Sequence, residues 1–180
     1  QEKFIFLHVS SLISLKNPDK IINAAVQLHL INPHFELHIG GDGDENRLKE
    51  LIARHNAEDY IKTFGMISSE EVAQKMKAAS CFVLFSNYEN QPCVILESFA
   101  SGIPVIAPKV GGIAEILNSE RGILIEKGNE KELLNAMKNI LEGSVSFGTS
   151  DEIRNYCVGH FSQQKIAEKF SEIYNSVLNP

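Results

Sequence analysis

Two glutamates, Glu89 and Glu97, bracket the segment Tyr88-Glu89-Asn90-Gln91-Pro92-Cys93-Val94-Ile95-Leu96-Glu97, with seven residues between them. The segment follows an apolar run, Cys81-Phe82-Val83-Leu84-Phe85, that reads as a buried strand. Pro92 fits the first position of a helix, where a missing N–H costs nothing. Glu89 then lies in the loop, and Glu97 about a turn and a half inside the helix at roughly 3.6 residues per turn. A strand, a short loop and a helix N-terminus make an anion site, because free N–H groups and the helix dipole face the ligand. Carboxylates there would repel a bare phosphate. They suit a phosphate flanked by sugars, whose hydroxyls they can accept hydrogen bonds from.

The elements that must position these groups can be read in order. Phe4 to Val9 reads as a first strand, followed by a polar loop ending in Lys16-Asn17. Asn17-Pro18 is a helix start, with Asn17 as N-cap, and Ile21, Ile22, Ala25 and Leu28 recur at helical spacing. Phe35 to Ile39 alternates as a second strand, and a helix with Leu48, Leu51 and Ile52 inward follows the Gly40–Asp44 turn. Ile61 to Phe64 is a third strand. Ser68 and Glu71 form a capping box before a helix carrying Val72, Met76 and Ala79. Strand four is 81–85, with a helix from Pro92 to near Gly102. Strand five is 103–107, a short helix runs through Ile116, and strand six is 122–125. An amphipathic helix covers 130–141, and two helices close the chain over 151–178. The last shows an apolar stripe, Ile166, Phe170, Ile173 and Val177, fit either to pack on this domain or to dock on another.

Six strands alternating with helices imply an α/β fold with a doubly wound parallel sheet, in one domain over 1–180. The common strand order is 3-2-1-4-5-6, with the ligand crevice outside the carboxyl ends of strands one and four. The loop after strand one ends in Lys16 and the loop after strand four holds Glu89. Segments about seventy residues apart are therefore expected to face one crevice, where Lys16 could neutralise a diphosphate.

Composition narrows the class. Hydrophobic content of 43% and charged content of 22% suit a soluble globular chain, and a net charge of -6 argues against a general nucleic-acid binder. No run approaches the ~20 apolar residues of a membrane span. The chain begins at Gln1 rather than Met, which suggests a piece of a longer protein. Cys81, Cys93 and Cys157 form no close pair, so a reducing cytoplasm is expected. Six scattered histidines give no metal cluster, and no metal is expected. Gly41-Asp42-Gly43 follows the second strand and has Asn46 in the third glycine position, against a dinucleotide site. Arg47 stands where a calcium loop needs glycine.

These residues resemble the donor-binding C-terminal half of retaining glycosyltransferases of family 4, which have the two-domain GT-B fold. The resemblance runs through the 9–16 loop, Ile39-Gly40-Gly41-Asp42-Gly43, Phe64-Gly65 with Ser68-Ser69-Glu70-Glu71, strand four, Glu89 to Glu97, Ala100-Ser101-Gly102-Ile103-Pro104, Gly111-Gly112 with Glu115, and 122–125. It implies a Rossmann-like half of a GT-B enzyme that moves a sugar from a nucleoside diphosphate to an acceptor hydroxyl with retention of the anomeric configuration, and with no cofactor. Glu89 would act at the reacting centre and Glu97 would hold the ribose. Lys16 would pair with the diphosphate, joined in the donor site by Ser10, Ser11, Gly41, Asn90, Gln91, Cys93 and Val94. Backbone at Met66 and Ile67 would face the base. The family usually has Gly-Arg where this chain has Ser10-Ser11, so one diphosphate-binding cation is absent. The implied partners are a nucleotide-sugar donor, an acceptor glycan or lipid-linked sugar, and an N-terminal acceptor domain of the same polypeptide. Nucleic acid is not among them. The full-length protein is expected in the cytoplasm, with peripheral association at the inner membrane face as one setting. The alternatives are a non-catalytic nucleotide-sugar-binding module and another GT-B enzyme, such as a sugar-nucleotide epimerase.

Overall fold

A computed structural model describes residues 3–178. Six parallel strands form one sheet: β1 (Phe4–Val9), β2 (Phe35–Gly40), β3 (Ile61–Phe64), β4 (Cys81–Val83), β5 (Val105–Pro108) and β6 (Gly122–Ile125). Their spatial order is β3-β2-β1-β4-β5-β6, as expected from the sequence. The helices are α1 (Pro18–His29), α2 (Glu45–Arg54), α3 (Ser69–Ala78), α4 (Cys93–Ala100), α5 (Ile113–Ile116), α6 (Glu130–Leu141), α7 (Ser150–Phe161) and α8 (Gln163–Leu178). Among the described residues, no helix is long and apolar enough to cross a membrane.

Alternation along the strands builds two cores. Phe6, Leu37, Ile39, Val83 and Ile106 face α1, α2 and α6, whereas Leu7, Phe82, Val105 and Ala107 face α3, α4, α5 and α7. A parallel sheet covered on both faces reads as near-continuous apolar runs, which is how these strands read.

Local signals account for most boundaries. Ser68 accepts from the Glu71 N–H while Glu71 reaches back to the Ser68 N–H, forming the anticipated capping box. Thr149 and Glu152 repeat it at α7. α4 ends in a Schellman motif: Gly102, at φ 77°, donates to Phe99 O, and Ile103 donates to Ser98 O. Where edges shift, there is a backbone reason. Pro92 is the N-cap of α4 rather than its first helical residue, because its ψ of 118° is extended. The β4 ladder stops at Val83, although Leu84 and Phe85 stay buried and the Leu84 N–H still donates to Ile106 O. β5 starts at Val105, not Ile103, and reaches Pro108. Leu51 and Val72 are only half-buried.

Most of the apolar stripe of α8 is left uncovered by this domain, Ile166 alone of the four being half-buried. Phe170, Ile173 and Val177 are 55%, 57% and 71% exposed, with Tyr174 beside them.

Gly41 shows how closely the carboxyl ends of β1 and β2 approach. At φ 135°, a Cβ on it would lie 2.0 Å from Ser10 O. Gly41→Ala is expected to cost about 2 kcal/mol or more, read as a lower urea midpoint. An unchanged midpoint would contradict this close approach.

Candidate functional site: a crevice at the parting of two strands

β1 and β4 pair only through Phe6 with Cys81 and Leu7 with Phe82. Beyond that point one chain turns toward β2 and the other toward β5, and a crevice opens at the carboxyl ends. From the β1 side, Ser14–Lys16 forms a 3-10 turn that delivers Lys16. From the β4 side, the loop after Phe85 delivers Glu89, which is 7% exposed. Lys16 Nζ lies 2.5 Å from Glu89 Oε1, with the two side chains 20% and 8% exposed. The expected convergence across the crevice is present.

Ser86 Oγ also donates to Glu89 Oε1, at 2.6 Å. Both bonds fall on one oxygen. Among the described residues Glu89 Oε2 makes no hydrogen bond, so it is available to accept from a hydroxyl. The loop is braced from beyond β5: the Gly112 N–H donates to Asn90 O at 2.7 Å. Gly111, at φ 53°, sits so close that a Cβ would lie 1.8 Å from Glu89 O. Gly111 is therefore a steric requirement of the Glu89 loop.

The start of α4 lies next to this pair. α2, α3, α6 and α7 have side-chain N-caps; α4, like α1 and α5, has none. Its first-turn N–H groups, at Cys93 and Val94, are left to a ligand, and the helix dipole favours an anion there. Past them, a groove of about 520 Å³ runs between α3 and α4, lined by Val9, Ser69, Val72, Cys93, Val94 and Glu97, among others. Glu97 is exposed on its wall. Lys16 and Glu89 do not line the groove; Glu89 lies in the loop that leads directly into Pro92, the N-cap of α4.

The other expected residues divide. Ser10 and Ser11 are half-buried at the end of β1, and Asn90, Gln91 and Cys93 are exposed at the mouth. Tyr88 Oη donates to Asn90 Oδ1 at 2.8 Å. Gly41 packs on Ser10 and serves the backbone. Met66 is 79% exposed. The Ile67 side chain turns into a separate hollow with His38, Glu71 and Lys75, so only its backbone is left for the role expected of it.

Sequence reasoning missed His8 and Ser86, and misread Asn17. His8 is fully buried in the central strand. Its Nδ1 lies 2.8 Å from Val83 O, and its Nε2 2.7 Å from Ser10 Oγ. A carbonyl can only accept, so Nδ1 carries the proton and Nε2 is free to accept from Ser10. Burial, helped by the nearby Lys16 charge and opposed by the Val83 hydrogen bond and Glu89, lowers the His8 pKa to about 4. A histidine in an otherwise apolar central strand was the signal. Asn17 stands before Pro18, but it does not cap α1 with its side chain: at φ 51°, its Nδ2 instead donates to Phe85 O at 2.9 Å.

The family model described as glycosyl transferases group 1 matches residues 1–174. The chain belongs to that family. It is 25% identical over 177 residues to the N-acetyl-alpha-D-glucosaminyl L-malate synthase of Bacillus anthracis, covering 97% of this chain and 46% of that protein. It is 27% identical over 180 residues to the UDP-Gal:alpha-D-GlcNAc-diphosphoundecaprenol alpha-1,3-galactosyltransferase of Escherichia coli, again covering 97% and 46%. The chain thus spans about half the length of these relatives. Among solved structures, sucrose-phosphate synthase of Thermosynechococcus elongatus superposes with a TM-score of 0.84 at 26% identity, covering 98% of this chain and 46% of that one. Anabaena HepE in complex with UDP-glucose gives 0.79 at 26% identity, covering 94% and 49%. The six-stranded parallel sheet flanked by helices is that of GT-B glycosyltransferase structures.

The neutral His8 has a pH consequence. Between about 6.5 and about 4 the unfolded chain takes up a proton at this position that the folded chain refuses. Stability from this group is complete above about 6.5 and falls as pH drops to about 4, by ~3 kcal/mol in all. Urea unfolding at pH 7 and pH 5 checks it. His8→Asn, which keeps a donor at the Nδ1 position but does not titrate, should lose less stability over that interval than the parent. An equal loss in both would contradict the assignment.

Proposed function

We propose that this chain is the donor-binding half of an enzyme that transfers a glycosyl group from a nucleoside diphosphate sugar to an acceptor hydroxyl, with retention of anomeric configuration. The bond from the anomeric carbon to the diphosphate breaks, a bond to the acceptor oxygen forms, and the acceptor proton leaves with the diphosphate. The observation that carries the reading is the Lys16–Glu89 pair beside the uncapped N-terminus of α4.

Each group has a part. The N–H groups of Cys93 and Val94 and the Lys16 ammonium would hold the diphosphate, whose growing charge on departure they stabilise. Glu97, on the groove wall, would accept from the ribose hydroxyls. Glu89 Oε2 would accept from a hydroxyl of the transferred sugar and stabilise positive charge at the anomeric carbon. Ser10 and Ser11 supply no cation, which leaves Lys16 as the charge on the β1 side of the crevice. UDP is the first nucleotide to try, since the HepE complex and the E. coli relative both carry UDP in their names. The acceptor half would lie on a second domain, in keeping with the half-length match to the relatives. The uncovered stripe of α8 would then pack on that domain.

Titration calorimetry with UDP, GDP and ADP tests the reading. At least one should bind. Lys16→Met should weaken binding about tenfold, from the loss of one charge-assisted bond. Glu89→Gln should bind UDP at least as tightly as the parent, because it releases Lys16 from its partner. Full-length Glu89→Gln should nevertheless lose turnover. No heat with any of the three nucleotides would overturn the proposal.

A further inference from the structure

The parting of β1 and β4 creates a local problem whose solution points to two further residues. In a parallel strand, alternate residues address opposite neighbours. The N–H groups of Phe82 and Leu84 donate to Pro104 O and Ile106 O on the β5 side. Val83 and Phe85 therefore face β1, where the ladder has already ended at Leu7 and Phe82. Their carbonyls are buried and have lost their backbone partners, and a buried carbonyl without a donor is costly.

Side chains from the β1 segment take over both. His8 Nδ1 donates to Val83 O at 2.8 Å, and Asn17 Nδ2 donates to Phe85 O at 2.9 Å. His8 is 0% exposed and Asn17 6%. Two further bonds cross in the opposite direction: the Asn87 N–H to Leu15 O at 2.9 Å, and Asn87 Nδ2 to Asn17 Oδ1 at 3.4 Å. Asn17 adjoins Lys16 in sequence, and Phe85 lies one residue before Ser86, which holds Glu89. The choice of residue is informative. The φ of 51° at position 17 suits glycine without strain, but glycine could not reach Phe85 O. Asparagine tolerates this conformation and also supplies the donor.

We propose that Asn17 and His8 are positioning residues of the donor site, clasping the parted ends of β1 and β4 so that Lys16 is held on Glu89. The clasp replaces the missing rungs of the ladder with side-chain bonds, leaving the crevice open while keeping its walls in register. Its purpose rests on the donor-site reading above.

The test reads Lys16 directly, without a ligand. The chain is acetylated with a limiting amount of acetic anhydride, and the rates at Lys16 and Lys62 are compared by mass spectrometry. Asn17→Gly keeps the backbone free of strain but removes the clasp, and Asn17→Asp keeps the shape but replaces the donor with an oxygen. Both should raise the Lys16 rate at least threefold and leave Lys62 unchanged. Asn56→Gly, at the other left-handed asparagine, should change neither. His8→Asn should keep the parent rate and His8→Leu should raise it. In calorimetry with UDP-glucose, Asn17→Gly should bind about tenfold more weakly than the parent, the size of one lost hydrogen bond. An unchanged Lys16 rate in a folded Asn17→Gly chain overturns the clasp even where UDP-glucose binds normally. A rise shared equally by Lys62 reports general loosening and also overturns it. A selective Lys16 rise in a chain that binds no nucleotide supports the clasp and overturns the donor reading.

Discussion

The parting of two parallel strands sets the terms for everything else in this molecule. In a doubly wound sheet, the chain leaves β1 toward one edge and leaves β4 toward the other, so the backbone ladder between them cannot continue past the reversal. That break opens a crevice and leaves buried backbone carbonyls beside it without ladder partners. The same break places the loop of Lys16 opposite the loop of Glu89. A binding site and a satisfaction problem thus arise together, and the buried polar side chains His8 and Asn17 answer the second while shaping the first.

Electrostatics sharpen the picture. The chain is acidic overall, yet the crevice holds a lysine, an uncapped helix start and a carboxylate anchored through one oxygen. Lys16 and Glu89 satisfy each other. A partly buried lysine and carboxylate that already share a bond leave neither as an isolated charge, which would be far more costly. On the proposed reading, an arriving diphosphate would take over the lysine because the helix N–H groups help it compete, and the released carboxylate would then face the sugar.

Much of this was legible from residue order. The strand sequence, the capping box at Ser68, the glycine stop after α4 and the approach of Lys16 to Glu89 all follow from periodicity, turn chemistry and the topology rule for parallel sheets. These are local signals or consequences of strand order. What escaped was tertiary. Asn17-Pro18 carries every mark of an N-cap, but a carbonyl 68 residues away claimed the Asn17 side chain. His8 looked like one polar letter in a strand until its burial and two partners were seen. The early end of β4 was hidden because Leu84 and Phe85 are as apolar as the strand they extend. The α8 stripe has the period of a packed helix face, and period alone cannot say which surface covers it.

The most direct measurement is a crystal structure of this chain with UDP-glucose bound. The account predicts the diphosphate between Lys16 Nζ and the first-turn N–H groups of α4, the ribose hydroxyls on Glu97, and the hexose within hydrogen-bond reach of Glu89 Oε2. Nucleotide lodged elsewhere, with Lys16 still bonded to Glu89 and touching no phosphate, would contradict it.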